Sequence, residues 1–284
     1  MAKHWFEERD PFSPIQYRYA GARPLYSARS ELQEIPVLES DFFGRMLVLD
    51  GVVQLTERDE FLYHEMLVHV PMHSHAEPKR VLIVGGGDGG ALREVLKHES
   101  VERVTLVELD REVIEVAKKF FPDMAAGFAS PLVTVRHGDG AAFLDDEGRQ
   151  FDIILVDSTD PVGPSTSLST PEFFQSASEA LNDGGVFAMQ TESLHFHADY
   201  VNRVQRSLRA GFGAVDLYGA PIATYAGNWW TFALASHAPV GREPVREPAP
   251  GLRIYCRELH RSAFVPSKAL TCFTSLGSGP YRRG

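Results

Sequence analysis

The sequence predicts an α/β protein in which a small N-terminal β-strand domain precedes a doubly wound, mostly parallel sheet. Three observations predict it. Short apolar runs at Val81–Val84, Val104–Val107, Leu132–Val135 and Ile153–Val156 alternate with helical stretches, as strands covered on both faces by crossover helices do. A glycine-rich turn, Gly85-Gly-Gly-Asp-Gly-Gly90, joins the first of these strands to a helix. Before residue 56 the rhythm differs: runs such as Ile35–Leu38 and Arg45–Leu49 are short, and Asp50-Gly51 is a hairpin signal.

Taken in order, residues 1–56 form the expected N-terminal β domain, and residues 57–284 a catalytic domain with a C-terminal extension. Glu57 to Val70 reads as a helix presenting Phe61, Met66, Leu67 and Val70 on one face. Helices through Leu92, Val95 and Leu96, and through Val113, Ile114 and Val116, follow the first two apolar strands. Gly184-Gly185 reads as a helix stop ahead of the strand Val186–Met189. Phe212–Leu217 and Trp229–Ala235 are expected to close the sheet at its far edge. Pro239 to Pro250 reads as a loop, Leu252 to Leu270 as ordered chain, and the last dozen residues as fraying.

Composition narrows the function. The 284 residues are 44% hydrophobic and 11% aromatic, enough for a sizeable core. With 28 Lys and Arg against 38 Asp and Glu, the formal charge is −10. That sign is wrong for tracking phosphates, so nucleic acid is not an expected partner, and it suits cationic ligands. Two cysteines, Cys256 and Cys272, provide no disulfide framework. The opening MAKHWFEERD lacks the apolar run of a signal peptide, and no stretch reaches the roughly 18 apolar residues of a membrane helix. A cytoplasmic protein with no membrane partner is the expectation.

Gly85, Gly87 and Gly90 satisfy G-x-G-x-x-G in the strand-to-helix context that a Rossmann-like nucleotide site needs. Glu108 ends the next strand, 23 residues after Gly85, where an acidic side chain can take both ribose hydroxyls. Asp88 inside the loop would repel a pyrophosphate, so an adenosine ligand without phosphates fits better, and an ammonium tail would be attracted. An N-cap role for Asp88 stays open. Asp157-Ser-Thr-Asp160 follows the strand Ile153–Val156, placing two carboxylates three apart in the crevice. Such a pair can hold one amine from two sides, and one member can accept its proton if its pKa is raised; an Asp-Pro turn is the alternative. Asp139 follows the third strand, within reach of an adenine, while Tyr63 and Tyr225 can flank an aliphatic polyamine. Packing roles for both tyrosines stay open. His73/His75 and His195/His197 alternate with no third ligand beside them, so no metal is expected. No G-x-S-x-G elbow occurs.

From about Tyr26 to Ala235, with a weaker echo at Arg253–Pro266, the chain resembles the spermidine synthase family of polyamine aminopropyltransferases. The carriers are Leu47-Val-Leu-Asp-Gly-Val-Val-Gln54, Thr56-Glu-Arg-Asp-Glu-Phe-Leu-Tyr-His-Glu65, Gly85-Gly-Gly-Asp-Gly-Gly-Ala-Leu-Arg-Glu94, Val107-Glu-Leu-Asp110, Asp157-Ser-Thr-Asp-Pro-Val-Gly-Pro164 and Ile222-Ala-Thr-Tyr225. The resemblance implies a class I S-adenosylmethionine methyltransferase-like fold. It also implies transfer of an aminopropyl group from decarboxylated S-adenosylmethionine to putrescine, releasing 5′-methylthioadenosine. Carried over, Asp157 is the proton acceptor, with Tyr63 and Asp160 beside it. His64, Asp88, Ser158, Thr159 and Tyr225 join them around the amine. Gln33, Gly85, Gly87, Glu108, Asp139, Gly140 and Pro164 hold the nucleoside. The donor is a co-substrate, no metal or redox cofactor is implied, and the family forms dimers or tetramers. Departures stand at Thr166, Ser169 and Phe174, near the expected pocket mouth, where the family carries an acidic residue before Ser-Leu-Phe and a later Phe-Tyr pair, and at Ile222-Ala-Thr-Tyr225, where it carries Ile-Pro-Thr-Tyr. They leave the acceptor open among putrescine, cadaverine, agmatine and longer polyamines. A diamine N-methyltransferase and a non-catalytic polyamine-binding protein are the alternatives.

Overall fold

The structure, a computed structural model, describes residues 4–10, 13–145, 148–160, 163–249 and 251–276. The chain opens with β1 (Trp5–Arg9) and β2 (Gln16–Ala20), an antiparallel hairpin that forms a sheet of its own. A four-stranded antiparallel sheet follows in chain order: β3 (Arg23–Arg29), β4 (Glu34–Ser40), β5 (Gly44–Leu49) and β6 (Val52–Thr56). Asp50 and Gly51 turn β5 into β6 with φ of +47° and +86°, the mirror-image turn whose twist matches the strands.

Helix α1 (Glu60–Ser74) lies beneath the large sheet, and every residue from Tyr63 to His73 is buried. It therefore departs from the one-sided helix expected from the sequence: α2, the sheet and the C-terminal segment all press on it, and no face is left to solvent. The elements that follow are β7 (Arg80–Gly85), α2 (Gly90–Val95), β8 (Arg103–Glu108), α3 (Arg111–Phe120), α4 (Pro122–Ala125), β9 (Val133–His137), α5 (Gly140–Asp145), β10 (Phe151–Asp157), α6 (Pro171–Ala180), β11 (Leu181–Ser193), α7 (Ala198–Leu208), β12 (Ala214–Pro221), β13 (Trp229–Ser236), α8 (Arg257–Ser262) and α9 (Ser267–Leu276). The sheet order is β12-β13-β11-β10-β7-β8-β9, parallel from β11 to β9, with β13 antiparallel to both neighbours.

Alternation along each parallel strand feeds two cores. Val81 and Ile83 of β7 join Ile153 and Leu155 of β10 on the α1 face; Leu82, Val84, Ile154 and Val156 pack on the α6 face. A third core joins Ile35, Val37, Leu47 and Leu55 of the small sheet to Val113, Val116, Phe121 and Met124 of α3 and α4. Successive strands run outward from β7 to β9, and the chain then returns to β10 on the other side of β7. The loops after β7 and β10 part there, opening the crevice where such sheets bind ligands.

Several details differ from the sequence expectation. Helix α6 ends at Ala180, before Gly184-Gly185, because the chain turns extended at Leu181 and Leu181 already pairs with Phe151; Gly184, at φ +79°, serves a turn inside β11. Trp229–Ser236 is an interior strand between β11 and β12, so only β12 is the far edge. Leu132 lies outside β9 and is exposed, since β9 is the opposite edge. Helix α9 runs to Leu276, into the stretch expected to fray, with Phe273 packed against Trp229; residues 277–284 lie outside the described ones. Among the described residues no helix is long and apolar enough to cross a membrane.

Candidate active site

A cavity of about 600 Å³ opens at the strand ends between β7 and β10, beneath the N-terminal strands. Its nucleoside end is built by backbone geometry. Gly85 has φ +81°, and a Cβ there would lie 2.1 Å from the Asp157 carbonyl oxygen; the next amide, Gly86 N–H, donates to that oxygen at 2.8 Å. Gly87 N–H donates to Glu108 Oε2 at 3.0 Å and Asp110 N–H to Oε1 at 2.8 Å, which orients the carboxylate at the tip of β8. Burial, with Asp110 and Asp88 nearby, pushes Glu108 up to about 7. Gln33 reaches across from the small sheet and donates through Nε2 to Asp110 Oδ2 at 2.8 Å. Asp139, on the exposed lip, caps α5 by accepting from Ala141 N–H at 2.7 Å, and Gly140 sits against Val84.

At the centre, Tyr63 Oη donates to Asp157 Oδ1 at 2.7 Å. Asp157 Oδ2 is buried, and among the described residues no donor reaches it. One titratable atom each of His64, Asp88 and Asp157 lies within 4.8 Å of the others. Burial first, and then the Asp88 charge, raise Asp157 to about 6 despite His64 and the Tyr63 hydroxyl. Asp88 combines two of the roles left open by the sequence. Its Oδ1 accepts from Gly90 N–H at 2.6 Å, although the N-cap of α2 is Gly89, and it faces the cavity. Tyr225 Oη donates to the Gln54 carbonyl, and its ring meets Tyr63 edge-on with centroids 5.8 Å apart. Both tyrosine hydroxyls are thus held by the protein, and the rings form an apolar wall.

The far end is acidic. Gln190 Nε2 donates to the Ser158 and Thr159 carbonyls at 3.2 and 3.5 Å, fixing the loop after β10. Asp157 and Asp160 both line the cavity, each with its own charged neighbour. The carboxylate bearing on Asp157 is Asp88, whereas burial and Glu192 push Asp160 well above the usual carboxylate range. His197 lies 3.0 Å from Asp10 Oδ2 and 3.1 Å from Glu192 Oε2. Against the burial that disfavours its charge, these carboxylates lift His197 to about 9. Glu8 on β1, raised to about 7 by burial, also lines this end.

Glu8, Asp10, Gln54, Gln190, Glu192, His197 and Trp230 are cavity residues that sequence reasoning missed. Glu192 carried a weaker signal than Asp157: it stands three residues past the apolar run Val186–Met189, whereas Asp157 directly follows Ile153–Val156. Thr166, Ser169 and Phe174 are not themselves lining residues, although Ser165, Ser167 and Leu168 beside the first two are: Thr166 faces solvent, and Phe174 is fully buried against Phe187. Pro161 and Val162 lie outside the described residues, as does the side chain of Pro164, whose backbone falls in the 3-10 turn Gly163–Ser169.

One histidine cluster escaped the spacing analysis because it joins two helices. His69 and His73 on α1 meet His98 after α2. Arg246, a pure donor, gives a hydrogen bond to His98 Nδ1 at 3.3 Å, so His98 Nε2–H donates to His69 Nδ1 at 2.9 Å and His69 Nε2–H to Glu94 at 2.9 Å. His73 Nδ1–H donates to the His69 carbonyl at 2.9 Å. Two of the three imidazoles spend both nitrogens in this chain, so the donor set as protonated is a structural strut and does not fit a metal ion.

Comparison with known proteins agrees with this architecture. Residues 60–243 match the spermine/spermidine synthase domain, and residues 4–57 the spermidine synthase tetramerisation domain. The chain is 49% identical over 277 residues to polyamine aminopropyltransferase 1 of Aquifex aeolicus, covering 98% of each. It is also 49% identical to the Hydrogenobaculum polyamine aminopropyltransferase, covering 94% of this chain and 95% of that one. A crystal structure of a spermidine synthase with the transition-state analogue AdoDATO superposes with a TM-score of 0.90 at 36% identity, and that of Thermotoga maritima with 0.89 at 36%, each covering 96% of both chains. With matches spanning both the small sheet and the large one, the chain belongs to the spermine/spermidine synthase family.

Proposed function

We propose that this transferase moves the aminopropyl group of decarboxylated S-adenosylmethionine onto putrescine, releasing 5′-methylthioadenosine, with Asp157 as proton acceptor. The observation that carries the reading is Asp157 Oδ2, a buried carboxylate oxygen with no donor among the described residues, between a nucleoside-shaped end and an acidic end. A diamine entering from the acidic side would supply the missing donor. Its nitrogen would form the new C–N bond as the C–S bond of the sulfonium breaks, and its surplus proton would pass to Asp157. A group raised to about 6 accepts a proton more readily than an ordinary aspartate while remaining ionised near neutrality.

The names of relatives support aminopropyl transfer in polyamine chemistry, and a spermidine synthase in complex with the transition-state analogue AdoDATO supports the same class of reaction. The donor's sulfonium is already activated, so the reading needs no metal or redox cofactor; orientation and charge placement carry the rate. We assign the assembly as a tetramer on the match of residues 4–57.

The test is methylthioadenosine release from decarboxylated S-adenosylmethionine across a panel of amines, with mass detection of the product. Release with putrescine and a product one aminopropyl unit heavier supports the reading; methylation, or binding without turnover, sinks it. Asp157→Asn is expected to lower turnover by about 10²- to 10⁴-fold while methylthioadenosine still binds.

A further inference from the structure

Behind the reaction centre stands a row of alternating charges that this chemistry leaves unused. His64 Nδ1 lies 2.7 Å from Glu60 Oε2, one turn earlier on α1. Arg93 on α2 grips the same carboxylate with both arms of its fork, Nη1 to Oε1 at 3.1 Å and Nη2 to Oε2 at 2.8 Å. Its Nε donates to Glu94 at 2.8 Å, so the fork itself is fixed. On the cavity side, His64 Nε2 faces Asp88 Oδ1 at 3.5 Å. The glycine loop presses on the ring, since a Cβ at Gly90 would fall 2.2 Å from it. Tyr63 packs edge-on with centroids 5.2 Å apart, so the imidazole has one orientation.

We propose that Glu60, locked by Arg93, is a positioning residue: it holds His64 as an imidazolium, and that charge lets Asp157 stay ionised beside Asp88. The inference rests on the aminopropyl-transfer reading of this site. Two carboxylates this close would otherwise force one to keep a proton, and a protonated Asp157 accepts nothing. The charged groups facing His64 are Glu60 from α1, Asp88 from the glycine loop and Asp157 from β10, with Arg93 behind Glu60. Against burial, Asp88 and Glu60 raise His64 well above its ordinary value, while His64 and Arg93 hold Glu60 down at about 2. In Glu60→Gln the amide can still accept from Nδ1–H, yet Arg93 then bears on the imidazolium with no anion between them, and the ring gives up its proton.

Two measurements test this on the full chain. In ¹⁵N-edited spectra, with the His64 signal assigned by its loss in His64→Asn, the wild-type ring is expected to hold its proton well above the ordinary imidazole range and the Glu60→Gln ring to lose it at distinctly lower pH. In steady-state kinetics, the acid limb of kcat/KM is expected to move up by about one unit in Glu60→Gln, a loss of about five-fold at pH 6 and little at pH 9. A wild-type His64 that titrates at its ordinary value overturns the inference, even if the variant does not fold. So does a variant whose activity falls equally at every pH, which is the signature of packing alone. A wild-type chain that releases no methylthioadenosine with any amine defeats the reading of the reaction, while the spectra still decide the charge of His64.

Discussion

At the residue scale, the chemistry turns on what surrounds Asp157. One oxygen is tied to Tyr63 at 2.7 Å, and the other is buried without a donor among the described residues. With Asp157 as the proposed proton acceptor, active only when ionised, kcat/KM is expected to fall as the pH drops through about 6, a pH–rate profile being the measurement. A limb near 4, the ordinary aspartate range, would show that burial and Asp88 do not govern it. Asp157 was legible in the sequence because a carboxylate directly after an apolar strand has one place to go. Its neighbours were less so. That Asp88 bears on Asp157, while Asp160 is set against Glu192, depends on how the loop after β10 turns and on a strand thirty residues later. His197 carries no metal spacing in the sequence, and the partners that hold it as a cation are Asp10, far from it in the chain, and Glu192 on β11.

At the element scale, the parallel strands could be read directly, since strands covered on both faces leave runs such as Val81–Val84. Edges and helix ends were harder: β13 slots between β11 and β12 through pairings that no local pattern records. The junction of β7 and β10 is where local geometry matters most. Gly85→Ala would place a methyl 2.1 Å from the Asp157 carbonyl oxygen in backbone at φ +81°. A loss of at least ~2 kcal/mol in denaturant-induced unfolding is expected. Gly148→Ala, with open space around it, should be nearly silent. Equal effects at the two positions would mean that the close approach of strand and loop is not what fixes the glycine.

At the scale of the whole molecule, the −10 charge is concentrated where a cation is expected to bind, and stability should register it. Glu8 and Glu108 are raised to about 7 and His197 to about 9, so the folded chain binds these protons more tightly than the unfolded one. Stability from the two carboxyls is lost as the pH rises from about 4.5 to about 7, and that from His197 between about 6.5 and about 9. His73 and His260, lowered to about 4, and His98, lowered to about 2, act in the opposite sense only below about 6.5. The unliganded protein is therefore expected to melt roughly 5 °C lower at pH 9 than at pH 6.5 in a thermal scan at fixed ionic strength. A flat or rising Tm over that range would refute the assignment of these groups. The opening hairpin carries a different consequence. Its Tyr17 hydroxyl accepts from Gly227 N–H, 210 residues away, and its Tyr19 hydroxyl donates to the Thr224 carbonyl, 205 residues away. On the ribosome, β2 waits roughly 10–40 s after its own synthesis for these partners to be made. The cavity that Glu8, Asp10 and Tyr17 line is thus completed only some two hundred residues after those side chains are made, when Tyr225 and Ala226 arrive.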